Sequence, residues 1–127
     1  MPKPEDWLRF AEYDLRTATL IVNADEGLLS TALYHVQQCA EKALKGYLLF
    51  KQIPTKKTHD IVGLAQLCAN IDPDFIAILS DAADVNPYST STRYPDDFYV
   101  FPSLDTTRIL IDKANKIYQL VDRKIYL

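Results

Sequence analysis

The sequence predicts an all-α protein built as a single domain over residues 1–127. Three observations carry this. Glycine is scarce, with only Gly27, Gly46 and Gly63 in 127 residues. The apolar residues recur at three- and four-residue intervals instead of alternating, which is the period of a helix and not of a strand. No internal repeat, low-complexity tract or linker divides the chain, and its 48% of apolar residues is enough for one ordinary hydrophobic core.

The first helix is predicted to begin near Pro4, since proline is tolerated in the first turn and Glu5 and Asp6 suit the positive end of the helix dipole. Trp7, Phe10, Ala11, Leu15, Ala18 and Ile21 or Val22 form its expected inner stripe, and it ends between Asn23 and Gly27. The second and longest helix runs from Leu28 or Ser30 to Lys51 and stops before Pro54. "PTKKTHD" is a connector. A third helix follows from Asp60 to Asn70, with Thr58 as a possible cap. A fourth runs from Pro73 to Val85, capped by Asp72 with Pro73 at its first position. The last starts beyond Pro102 with Ser103 as its cap, and carries Leu104, Ile109 or Leu110, Ile111, Ala114, Ile117, Tyr118 and Val121.

Composition narrows the function classes. The chain opens MPKPEDW, with charges and prolines where a secretory signal needs an apolar run, and no stretch approaches the roughly 20 apolar residues that span a bilayer. A soluble, cytoplasmic protein is expected. Cys39 and Cys68 both fall within helical patterns and read as reduced packing residues. A net charge of −3 gives no broad cationic surface for duplex nucleic acid.

On the second helix Leu29, Leu33, Val36, Ala40, Ala43, Leu44 and Tyr47 share one face, leaving His35, Gln38 and Lys42 opposite, with Glu41 and Lys45 on a flank. Two readings fit this polar stripe: a solvated outer face with a Glu41–Lys45 pair, or a surface that meets a second subunit or an anionic ligand. In the connector, Lys56 and Lys57 precede a helix N-terminus, which favours anions, and His59 either hydrogen-bonds to a neighbouring element or contacts a nucleotide. "NPYSTSTRYPDDFYVF", residues 86–101, sets Arg93 and Tyr94 among aromatics too apolar to stand wholly in water. This loop either packs across the helices or lines a pocket or partner surface through Arg93 and the tyrosine hydroxyls. His35, Cys39, His59 and Cys68 lack compact ligand spacing, so no metal centre or cofactor is expected.

"YHVQQCAEKALK" (34–45), "THDI" (58–61) and "RYP" (93–95) occur in an order and spacing that resemble the HEPN domain family of small prokaryotic helical proteins. The resemblance spans nearly the whole chain. It implies an antiparallel bundle of four or five helices, similar to the helical C-terminal domain of aminoglycoside nucleotidyltransferases, usually dimeric. It also implies pairing with a small separate nucleotidyltransferase in a toxin–antitoxin-like module. Some members are metal-independent ribonucleases whose element is an arginine followed four to six residues later by a histidine. Here Arg93 is followed by "YPDDFYV", and none of Arg9, Arg16, Arg108 or Arg123 has a histidine at that spacing.

The expectation is therefore a homodimeric, non-catalytic binding protein that partners a nucleotidyltransferase and also holds a nucleotide. His35, Gln38, Lys42, Lys45, Lys56, His59, Arg93 and Tyr94 are the candidate nucleotide or partner contacts. The alternative is a ribonuclease toxin with a degenerate site.

Overall fold

The computed structural model describes residues 2–55, 57–86 and 102–126. These form five α-helices: α1 (Pro4–Ala24), α2 (Leu29–Phe50), α3 (Ile61–Ile71), α4 (Leu79–Val85) and α5 (Leu104–Tyr126). Short 3-10 segments, Glu26–Leu28 and Pro73–Ile78, lead into α2 and α4. There is no strand among the described residues.

The ends are set by local chemistry. Asp6 accepts the backbone N–H of Lys3 at 2.8 Å and fixes the start of α1. Asp25 breaks that helix and accepts from Gly27 N in the turn to α2. The third helix is capped by Asp60, whose carboxylate accepts from Gly63 N at 3.1 Å. The expectation for Thr58 is thus corrected: its hydroxyl accepts from Asp60 N at 3.1 Å and braces the cap instead of forming it. Asn86, at the end of α4, accepts the N–H of Ile61. Asp72 precedes Pro73 as expected, but the segment begins as a 3-10 turn and becomes α-helical only at Leu79. Ser103 Oγ accepts from Thr106 N at the head of α5.

The close of α2 is a full Schellman motif. Gln52 N donates to Leu49 O and Ile53 N to Leu48 O, at 2.9 and 2.8 Å. Gln52 occupies the left-handed position with φ 59°, where glycine is the usual residue, and Ile53 folds back onto the core.

α2 is the central helix. Its predicted apolar face is buried in full, and Ala32, Gln37, Cys39, Glu41, Gly46 and Leu48 are buried as well, so it is covered on several sides. α1 packs on it antiparallel: Trp7 lies beside Gly46, while Asp14 further along α1 reaches back to His35 and Lys42. α5 packs against both. The inner stripe of α1 is Leu8, Ala11, Ala18 and Val22, with Leu15 partly buried. Phe10, expected in that stripe, is 54% exposed because it lies off this line on the outer side. On α5 the choice between Ile109 and Leu110 falls to Leu110, which is buried while Ile109 is exposed. Two lysines of α5 tie the α4 region down. Lys113 lies 2.8 Å from Asp84 and 3.6 Å from Asp81, and Lys124 bridges Asp72 and Asp74.

Candidate functional site

The polar stripe of α2 is organised around two buried carboxylates. Asp14 of α1 sits at the edge of its helix's apolar stripe and points at α2, where one oxygen accepts from His35 Nδ1 at 2.8 Å and the other from Lys42 Nζ at 2.7 Å. Glu41, one position before Lys42, accepts from Lys45 Nζ at 3.1 Å and from His59 Nδ1 at 2.8 Å. Each buried acid thus holds one lysine and one histidine. Burying an unpaired carboxylate is costly, and these contacts supply the charge and the hydrogen bonds that make burial tolerable.

The arrangement fixes the imidazoles. An ionised carboxylate only accepts, so Nδ1 of each ring is the donor, and the ring is held with Nε2 turned away from the carboxylate. His59 is 69% exposed on its side chain and His35 27%, so the first ring is open to the surface and the second partly so. Lys42 and Lys45 are already neutralised by Asp14 and Glu41. Each ammonium is therefore matched by a carboxylate, which weakens its pull on a phosphate.

The structure therefore brings His35 with Lys42, and Lys45 with His59, into two adjoining networks, with Gln38 half-buried on the same stripe. Lys56, Arg93 and Tyr94 lie outside the described residues, as does the loop 87–101. Cys39, one turn from His35, is buried, and burial followed by the charge of Asp14 pushes its thiol well up, against the opposing charge of Lys42. Burial likewise raises the Cys68 thiol to about 12. Neither is a nucleophile at neutral pH. No group of three or more potential metal ligands occurs among the described residues.

Asp14 escaped the sequence reading. The available signal was its place three residues after Ala11 and four before Ala18, where a charge borders a core stripe and needs a partner.

The HEPN-domain family model matches residues 4–124. The chain belongs to the HEPN family. Two solved structures share this HEPN fold over nearly the entire chain. The crystal structure of ST0689, an archaeal HEPN homologue, is 33% identical, with 98% of this chain and 99% of that one covered and a TM-score of 0.78. TT1696 from Thermus thermophilus is 28% identical over 98% and 99%, with a TM-score of 0.81. No curated protein matches the chain. Among the described residues, no helix of this HEPN domain is long and apolar enough to cross a membrane.

Proposed function

We propose that this HEPN protein is a non-catalytic binding component, acting as a homodimer and joined to a separate small nucleotidyltransferase in a toxin–antitoxin-like module. The observation that carries the non-catalytic part is the state of its histidines. HEPN ribonuclease chemistry needs a histidine four to six residues after an arginine, so that one group moves the proton while the other meets phosphate charge. Both histidines here precede Arg93 in sequence, and both are anchored through Nδ1 to buried carboxylates of α1 and α2.

The narrower expectation that the protein also holds a nucleotide draws no support from Lys42 and Lys45, whose charges are already matched. A stripe of matched lysines with two oriented imidazoles, one open to the surface and one partly so, suits a protein surface, where hydrogen-bond direction matters more than net charge.

The test is a set of three measurements. Purified protein is incubated with labelled RNA, and no cleavage is expected; cleavage that survives stringent purification and disappears in Arg93→Ala overturns the reading in favour of the ribonuclease. Light scattering is expected to give twice the chain mass. Mixing with the small nucleotidyltransferase of the same genome is expected to give a complex that His35→Ala and His59→Ala weaken, and no complex at micromolar concentrations removes the partner assignment.

A further inference from the structure

α1 carries a second apolar row on the side turned away from the bundle. Phe10, Tyr13 and Leu20 are 54%, 52% and 69% exposed. Together with Thr17 they recur at intervals of three, four and three residues, which is the spacing of a seam into which another helix packs. At about 100° per residue this row points nearly opposite the buried line of Leu8, Ala11, Ala18 and Val22. A shallow groove of 400 Å³ lined by Tyr13, Arg16, Thr17 and Leu20 lies along it, and a second, of 360 Å³, opens on the other side of Arg16 and Leu20.

The flanks of the row differ in charge. On the α2 side Asp14 is matched by Lys42, whose ammonium also lies 5.8 Å from the centre of the Phe10 ring. On the other side Arg9 and Arg16 are exposed and form no ion pair among the described residues. Glu12 stands between them in sequence but is half-buried towards α5. There its charge, after burial, helps to raise the Tyr118 hydroxyl to about 12. In a chain of net charge −3, two exposed guanidiniums beside an exposed apolar row form a local cationic rim.

We propose that this face of α1 docks an amphipathic helix of a different protein, one that presents an apolar row at three- and four-residue spacing with an acidic flank. A second copy of this chain is the poorer occupant. The row is palindromic about Leu15, so a twofold antiparallel pairing would lay Phe10 on Leu20 and Tyr13 on Thr17 of the other copy. The same operation sets Arg16 on the same side as its own copy, offset by only about 3 Å along the axis at 1.5 Å per residue. Facing like charges oppose that pairing, whereas glutamates or aspartates at those positions complete it. The inference does not depend on the partner being a nucleotidyltransferase, and either can fail without the other.

The probe is a fluorescein-labelled helical peptide of three heptads with leucine in the seam and glutamate on the flanks, compared by anisotropy with the same peptide carrying lysine flanks. The intact protein is expected to bind the glutamate peptide about tenfold more tightly or better. The double variant Arg9→Glu with Arg16→Glu should reverse the order. Leu20→Asp should abolish binding while leaving the helical circular dichroism and the melting temperature unchanged, since residue 20 is exposed. No binding, equal binding of the two peptides, or binding indifferent to Leu20→Asp overturns the proposal. So does a wild-type dimer that Leu20→Asp converts to monomer, because that gives the face to a second copy.

Discussion

Gly46 of α2 and Trp7 of α1 meet in tight contact between the two helices: a Cβ at Gly46 would lie 3.0 Å from Trp7 Cβ and 3.4 Å from Pro4 O. Neither neighbour is the free end of a flexible chain, so α1 itself has to move. In an unconstrained helix interior, replacing glycine by alanine stabilises by about 0.5–1 kcal/mol. Here the sign reverses. Gly46→Ala is expected to cost about 1–3 kcal/mol by urea denaturation, as overpacked sites do. A neutral or stabilised variant would mean that α1 slides along α2 at little cost.

Removing either partner from the Glu41 network should give unequal losses. Glu41→Ala strands Lys45, whose side chain is only 11% exposed, and is expected to cost about 2–4 kcal/mol. His59→Ala removes a contact that water already reaches and should cost less than about 1 kcal/mol. Equal losses would contradict the reading of Glu41 as the centre of the network. Nitrogen chemical shifts should report a protonated Nδ1 on both histidines, and Asp14→Asn should disturb that signature for His35 alone.

The Lys124 cluster predicts a pH window. Asp72 is held below its ordinary value of 3.8, chiefly by its hydrogen bond to Lys124 and then by that from Asp74 N. Its contribution is present above that ordinary value and is lost as pH falls through the lower folded one. Lys124 is raised to about 12, first by Asp74 and then by Asp72. Its contribution is complete below 10.5 and is lost as pH rises through about 12. Lys124→Met should therefore flatten both limbs of the stability profile, and an unchanged acid limb would show that Asp72 does not depend on the lysine.

Gln52 offers a stabilising change. It holds a left-handed conformation that costs a side-chain-bearing residue about 1–2 kcal/mol, partly offset because glycine loses more freedom on folding. Gln52→Gly is expected to raise stability by about 0.5–1 kcal/mol with no change in binding. A loss would mean that the side chain makes a contribution larger than the backbone strain.

Much of the bundle was legible because it follows from periodicity and punctuation. The inner face of α2, the breaks at Pro4, Pro54 and Asp72, and the Ser103 cap are local properties that three or four neighbouring residues determine. The misreadings concern which face each helix turns inward. Phe10 is an apolar residue on an exposed face, while Asp14, Glu41 and Gln37 are polar residues in buried ones, and only packing decides between them, as it decides for Leu110 over Ile109. The histidines of the site were visible, but their partners were not. Asp14 lies 21 residues from His35 and Glu41 lies 18 from His59, distances that no spacing rule on one helix spans.

The burial of both thiols makes the native chain silent to alkylating reagents while leaving it responsive to its own opening. Cys39 and Cys68 are fully shielded and protonated at neutral pH, so iodoacetamide or a maleimide can modify them only in molecules that have transiently opened around α2 and α3. Mass spectrometry of timed labelling would then count openings helix by helix, with Cys39 timing the centre of the bundle and Cys68 its α3 side. A cysteine introduced at Leu20 would be the sole site available in the closed protein, an attachment point for a spectroscopic tag on the outer face of α1.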